Sequence, residues 1–415
     1  VTAADVKFTL DTIKSTASSI YKENMRDVSS YKIIDEETLS IKFNRFANNI
    51  MEKLCFPIIP MHIFAESKGA TPVGTGPYKV ASYEKLKHMK LVPNDCWWKK
   101  GDMYISTIKV LFINDIEAFD TAFESREIDI LHAASYDWEK YRELQDVNTY
   151  KYISNSFEYI SVNHQNPILR DKEIRKALMC GINRKELVDK YLLGNVAITD
   201  VPIKHSSWLF DGKGIEYNYD RTEAQYTLNN SGFSYNSERK SLEREVDGKK
   251  QVLRFTLITN SENEYRRKIA EEIKRYLEDI GFIIDLEILP FDDMKSRMDR
   301  KKYDMALVGM NIHPSQDLYS FFHSSQNING NNYGSYSNME LDLLLDELTN
   351  DILNETRYNA YLKVQSIIRE ELPILSLFYK EHALVMRNKV KGAVKIDSEN
   401  LFRTIDSWYI NRDDQ

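Results

Sequence analysis

Residues 72–80 read Pro-Val-Gly-Thr-Gly-Pro-Tyr-Lys-Val, and two glycines, a threonine and a lysine in one short run could build a phosphate cradle. Such a cradle needs successive backbone N–H groups converging on one anion, then a helix N-terminus to extend the positive field. Here Pro77 removes a donor, and the stretch from Tyr78 to Tyr83 alternates as a strand does, with no helix behind it. The spacing of four residues between Gly and Gly-Lys is also missing. The run reads as a glycine turn that opens a strand.

Other chemistry-bearing patterns are equally sparse. There is no Gly-x-Ser-x-Gly elbow, no His-Glu-x-x-His and no paired Cys-x-x-Cys. The eight histidines lack metal-ligand spacing; His313 and His323 merely share a region. No spacing singles out a carboxylate pair, although a glycoside hydrolase stays open because its two acids can lie far apart in sequence. The expectation is a non-enzyme without cofactor or metal. The three cysteines, Cys55, Cys96 and Cys180, give no disulfide framework and read as small buried hydrophobes.

The elements that must position any site follow from size and patterning. A chain of 415 residues exceeds one ordinary core, so two or three domains are expected. The 42% hydrophobic content is globular, and no apolar run reaches the length of a membrane span. A net charge of −7, with cations scattered among acids, argues against a nucleic-acid partner. Thr2 and Asp5 mark a helix start. A hairpin is expected over 31–43, a proline-rich link over 56–60, and strands over 89–92 and 108–113. A helix over 117–124 leads to a strand over 127–131. A strand over 159–163 precedes helices at 171–177 and 184–192. A βαβ unit follows, with strands 252–258 and 282–289 around a helix over 264–280 closed by Gly281. Strands over 305–308 and 375–379 flank a polar loop at 325–338. Open sheets flanked by helices follow from this order, and their ligands lie in crevices beyond strand ends or between domains.

In order along the chain, "TAADVKFTLD", "FPIIPMHIF", "VGTGPYKV" with "PNDCWW", "FESREIDIL", "VNHQNPILRDKEIRKAL" with "INRKELV", "YDMALVGM", "NNYGSYSN" and "ELPILSLFY" resemble the extracellular solute-binding proteins of family 5. These are peptide, dipeptide and nickel receptors of ABC importers. The resemblance implies an α/β, periplasmic-binding-protein-like fold: two lobes with a hinge-closed cleft plus an extra small domain, of the type II or cluster C kind. It implies that 1–72 belong to the extra domain, 73–186 with 384–415 to lobe one, and 187–383 to lobe two. The hinge is then expected near 184–190 and 383–386. Gly74 and Gly76 would open the first sheet in backbone conformations that side chains resist. Family members carry a lipoprotein signal and a first strand ahead of such a start, which implies a truncated or processed chain.

The same resemblance nominates ligand contacts. The family's Gly-Trp-x-x-Asp segment reads "GMNIHP" here, with Met310 at the tryptophan, Asn311 beside it and His313 at the aspartate that holds a peptide amine. Leu307 stands at a position that is basic in some oligopeptide receptors. Tyr159, Asn163 and His164 fall where the hinge strand meets the ligand, and Phe291 follows the βαβ unit. Asn332 and Tyr333 lie in the polar loop, and Phe378 and Tyr379 end the late strand. Tyr159, Phe291 and Phe378 are equally consistent with core packing. Histidine brings no fixed negative charge, so either free-amine di- and tripeptides bind poorly or Asp317 takes the role. The expected function is capture of short peptides for delivery to an ABC permease, by a monomer held outside the membrane or in the periplasm. The alternatives are the same fold with a metal chelate or other ligand, or a peptide-binding signalling protein without transport.

Overall fold

The computed structural model describes residues 1–25, 27–44, 50–64, 71–99, 101, 103–113, 115–134, 138–238, 241–328, 330–349, 354–393, 396 and 398–414. Helix α1 (Ala3–Ser15) packs on the antiparallel hairpin β1 (Val28–Ile33) and β2 (Leu39–Phe43) through Leu10, Ile13, Met25 and Val28. The Thr2 N–H donates to Asp5 at 2.8 Å, closing the helix start. Asp5 and Thr9 then accept the backbone N–H groups of Met61 and Ile59, both at 2.8 Å, which pins the proline-rich link along α1.

Strands β3 (Tyr78–Glu84), β4 (His88–Pro93) and β5 (Ile108–Leu111) form a separate antiparallel meander. The glycine expectation fails at its entry. Neither Gly74 nor Gly76 has a positive φ, and a Cβ on either would meet nothing within 4 Å. The turn is held from outside instead: Asn94 donates its side-chain amide to Gly76 O at 2.9 Å and its N–H to Pro77 O at 2.8 Å.

Helix α2 (Ile116–Glu124) leads to β6 (Ile130–Ala133) and then to β7 (Val147–Val162), which runs for 16 residues. Helices α3 (Lys172–Gly181) and α4 (Arg184–Tyr191), strand β8 (Val196–Ile198) and helix α5 (Arg221–Asn230) follow, then a small sheet of β9 (Ser234–Asn236), β10 (Ser241–Val246) and β11 (Lys249–Val252). The βαβ unit is β12 (Arg254–Asn260), α6 (Glu264–Asp279) and β13 (Ile283–Leu289), with the strands parallel and in register. Asn263 caps α6 by accepting the Arg266 N–H. Gly281 ends it at φ +105°, where a Cβ would also lie 2.8 Å from Leu242, so only glycine fits. Helix α7 (Phe291–Asp299), strand β14 (Met305–Asn311), helices α8 (Met339–Leu348) and α9 (Asn354–Glu371), and the 14-residue β15 (Ile374–Arg387) complete this part. A two-stranded ribbon, β16 (Val390–Lys391) with β17 (Tyr409–Ile410), lies beyond it.

The principal sheet has the order β13-β12-β14-β7-β15-β6, with β8 also on β15. Strands β7 and β15 are antiparallel over almost their whole length and carry two lobes at their opposite ends. In lobe two, one face of the sheet packs under α3, α4, α5 and α6 and the other under α7, α8 and α9. In lobe one, smaller clusters around Phe123, Trp138 and Tyr141, and around Leu384, Met386 and Trp408, cover the two faces. The chain crosses between them where β15 bulges, between Ser376 and Phe378 and between Tyr379 and Glu381. The boundary expected at 186/187 falls inside α4 and that at 383/384 inside β15. Helix α4 is tied into lobe two by the buried Arg184, which donates to Thr199 O at 2.9 Å and Ser376 O at 3.1 Å and pairs with Asp200 at 2.7 Å.

Candidate ligand-binding site

Strand β14 ends at the crossing. It pairs with β7 along its full length, Met305 opposite Val162 through Asn311 opposite Ser156. On its other edge β12 pairs only with Met305 and Ala306. Thr259 Oγ1 donates to Leu307 O from the β12 side at 3.0 Å, whereas the Ile312 N–H donates to Asn155 O on the β7 side. Backbone groups alternate along a strand, so the N–H and C=O of Gly309 and Asn311 point to the edge that β12 leaves uncovered. Gly309 and Asn311 are both exposed.

Under this edge lies a buried charge cluster that the sequence reading missed. Glu158 accepts from Arg266 Nε at 2.9 Å and Nη2 at 2.8 Å, and Lys380 Nζ stands 3.3 Å away. Arg266 also reaches Asn260 Oδ1 at 2.6 Å. Burial works to raise the Glu158 pKa, but Arg266 and Lys380 prevail and hold it below the usual carboxylate range. A Cβ on residue 309 would sit 2.5 Å from Arg266 Nη2 and 2.6 Å from Glu158 Oε1, so glycine here gives the bidentate pair its room. The available signal was a glutamate, the one charged residue inside the strand-like run "FEYISV".

A second set of contacts bridges the lobes. Lys204, from the loop behind β8, is buried and places Nζ 2.5 Å from Asn155 Oδ1 and 3.0 Å from Glu399 Oε1. Its backbone N–H donates to the side chain of Gln316 at 3.0 Å, which seats the loop after β14 against the crossing.

Of the expected contacts, Met310, Asn311 and His313 gather at this strand end. Met310 packs partly on the lobe-two core, Asn311 Oδ1 accepts from Ser156 Oγ at 2.8 Å, and His313 Nδ1 lies 2.8 Å from Ser315 Oγ. Asp317, four residues on, accepts the Tyr319 N–H at 2.9 Å. Phe291 is 49% exposed, and its N–H donates to Glu262, which in turn holds Asn260, so it flanks the same end of the sheet.

The others are placed elsewhere. Asn163 and His164 lie at the opposite end of the β7–β14 pair, beside Asp304, and strand geometry puts that end about 20 Å from Asn311. The Asn163 amide is spent on the carbonyls of Lys301 and Tyr303, and His164 Nε2 lies 2.9 Å from Pro373 O. Burial, with help from Arg175, pushes His164 down to about 4. Asn332 donates to Phe322, His323 and Tyr336 carbonyls and so staples the polar loop, and Tyr333 lies under Lys295 and Lys301. Tyr159 and Tyr379 pack with Phe157 in one core face and Phe378 lies in the other, all three buried. For Tyr159, Asn163, His164, Asn332, Phe378 and Tyr379 the structure shows internal roles: their polar groups or rings are turned into lobe two.

The comparisons agree with this architecture. Residues 1–331 match the family model "Bacterial extracellular solute-binding proteins, family 5 Middle". The oligopeptide-binding protein AppA of Bacillus subtilis is 25% identical over 99% of this chain and 78% of its own length. The probable D,D-dipeptide-binding periplasmic protein DdpA of Escherichia coli is 25% identical over 77% of this chain, which spans 60% of that protein. The structure of Bacillus subtilis AppA in complex with a nonapeptide superposes with a TM-score of 0.71 at 23% identity, covering 99% of this chain and 84% of that one. The chain belongs to the bacterial extracellular solute-binding proteins of family 5.

Proposed function

We propose that the chain is the substrate-binding receptor of an ABC importer, a monomer without enzymatic activity that captures short peptides between its lobes and hands them to a membrane permease. The observation that carries this reading is the uncovered edge of β14 at Gly309 and Asn311. An extended peptide can add there as a further strand, and main-chain pairing binds without demanding a sequence. The oligopeptide-binding name of AppA and its nonapeptide complex support it. In this reading Met310, His313 and Phe291 flank the peptide, Arg266 and Glu158 support the strand from below, and closure bends the ribbon near 153–156 and 379–382. The family's extracellular placement fits a lipid-anchored or periplasmic receptor.

Asn311→Pro tests the edge selectively. Proline deletes one of the two N–H groups that point to the open side and keeps the main-chain bonds of β14 to β7, losing besides only the side-chain contact with Ser156. Calorimetric titration with tri- to nonapeptides, each with a free and an acetylated amino end, should show binding about three- to tenfold weaker in the variant, the worth of one hydrogen bond. The unmodified chain should prefer the acetylated series, because His313 offers no fixed counter-charge for an ammonium. Equal affinities in variant and parent would remove β14 from the peptide site.

A further inference from the structure

Residues 73–113 carry seven lysines against three acids, a net charge of +4 inside a chain whose net charge is −7. They form the β3–β5 meander and its loops, and no described residue among them is buried. The register sorts the strands onto two faces. Lys90 on β4 lies directly opposite Lys109 on β5, and Val92, two residues on from Lys90, lies opposite Lys79 on β3, so the three lysines share one face. All three are exposed. Val80, Met89, Leu91, Ile108 and Val110 take the other face and are half-buried. Lys85 and Lys87 stand exposed on the β3–β4 turn, at one end of the cationic face. At its other end Lys79 reaches Asp95 at 2.6 Å, and Trp97 and Trp98 follow, with Lys99 placed 5.5 Å over the Trp97 ring. Trp98 is 79% exposed, and Tyr104 on the same loop is 64% exposed.

Like charges directly opposite on adjacent strands destabilise a sheet, because their Cβ atoms stand only about 4.5–5.5 Å apart. Among the described residues neither Lys90 nor Lys109 has an acid in ion-pair contact, whereas Lys87 pairs with Glu84 and Lys79 with Asp95, both at the surface. An anionic plane laid against this face relieves the repulsion. We propose that the face bearing Lys79, Lys90 and Lys109 docks lobe one on an anionic membrane leaflet, with Lys85 and Lys87 widening the contact and Trp98 entering the headgroup layer. Lysines near such a leaflet are drawn to its acidic lipids, and tryptophan and tyrosine rings settle where headgroups meet acyl chains. The extracellular placement of the family brings a leaflet within reach. In the receptor reading above, a chain held on the leaflet searches for its permease in two dimensions. The docking itself needs neither peptide nor permease.

The test is co-sedimentation of the chain with phosphatidylcholine vesicles, with and without phosphatidylglycerol, at low and high salt. The expected result is binding to the anionic vesicles alone, lost at high salt, with a blue shift of tryptophan emission that Trp98→Phe removes. Each lysine at such a surface is worth about fivefold, so Lys90→Gln with Lys109→Gln should weaken binding by about 25-fold. The melting curve of that double variant should be unchanged or shifted upward, since the pair repels. Lys249→Gln with Lys250→Gln, an equal change of charge at exposed positions of β11 in lobe two, should leave binding intact. Absence of binding to anionic vesicles at low salt, or equal losses in the two double variants, overturns the proposal. So does soluble polyphosphate that binds as tightly as vesicles do, together with a Trp98→Ala chain that binds vesicles like the parent; that result assigns the face to a free polyanion. Failure here leaves the β14 reading untouched, because no peptide is present.

Discussion

The two lobes share β7 and β15, yet they bury β7 very differently. In lobe two the strands are covered on both faces, and residues 157–162 of β7 and 374–379 of β15 are all buried. In lobe one β15 is buried again over 383–387, but β7 is not: residues 147–153 are half-buried or, at Lys151, exposed. Buried charges show the same contrast: Arg184–Asp200 is enclosed on both sides, whereas Arg387 is buried but its partner Asp146 is 41% exposed. Lobe two is the more deeply packed of the two, and the strand end proposed to meet a peptide lies at its rim.

The largest test of that contrast removes one partner of each pair. Asp200→Ala strands the Arg184 charge in a dry site, and leaving one partner of a buried pair typically costs about 3–5 kcal/mol. Asp146→Ala leaves Arg387 beside solvent and the Phe123 carbonyl, with an expected cost of about 1 kcal/mol or less. Urea unfolding with hydrogen exchange resolved by segment checks both. Comparable losses would mean that lobe one is as tightly built as lobe two.

An intermediate effect is expected from His164, enclosed in lobe two by Arg175, Arg170, Tyr336 and the Pro373 carbonyl. Its folded pKa is depressed to about 4, chiefly by burial. The unfolded chain takes up a proton as pH falls below about 6.5, and the folded chain does not until near 4. Stability is therefore lost as pH falls through that window, by about 3 kcal/mol in all. His164→Gln should flatten the decline between pH 7 and 5. An identical slope in parent and variant would show that folding does not depress the His164 pKa.

Legibility in the sequence follows the same division. The βαβ unit was readable to within about two residues at each end, because apolar and polar residues alternate along β12 and β13 and α6 has a clear cap and stop. The long strands were not. Only 159–163 and 375–379 read as strands, since the apolar pattern stops at "YKYISNS" and "KEHALV", where the ribbon leaves one core before entering the other. That gap hid Glu158 and Lys380. Met310, Asn311 and His313 were nominated through the family motif, and they fall together at one end of β14. Asn163 and Asn332 have the composition of binding residues, but their amides satisfy buried carbonyls, a distinction visible only once the backbone around them is placed.

The smallest effect concerns Arg126, at the end of α2 in lobe one. Its φ is +63°, its N–H donates to Phe123 O at 3.1 Å, and the Glu127 N–H donates to Ala122 O at 2.9 Å. This is the left-handed closing position of a helix, where glycine is the usual residue. A side chain there costs about 1 kcal/mol, and glycine returns part of that gain through its greater freedom when unfolded. The lost pair with Asp146 is worth little, since Arg126 is 73% and Asp146 41% exposed. Arg126→Gly should therefore raise stability by no more than about 1 kcal/mol, while Arg126→Val, with a branched Cβ, should lower it by about 1–2 kcal/mol. Urea midpoints at constant m-value provide the measurement. A glycine variant less stable than the valine variant would mean that the Asp146 contact, not the backbone, fixes this corner of the thinner lobe.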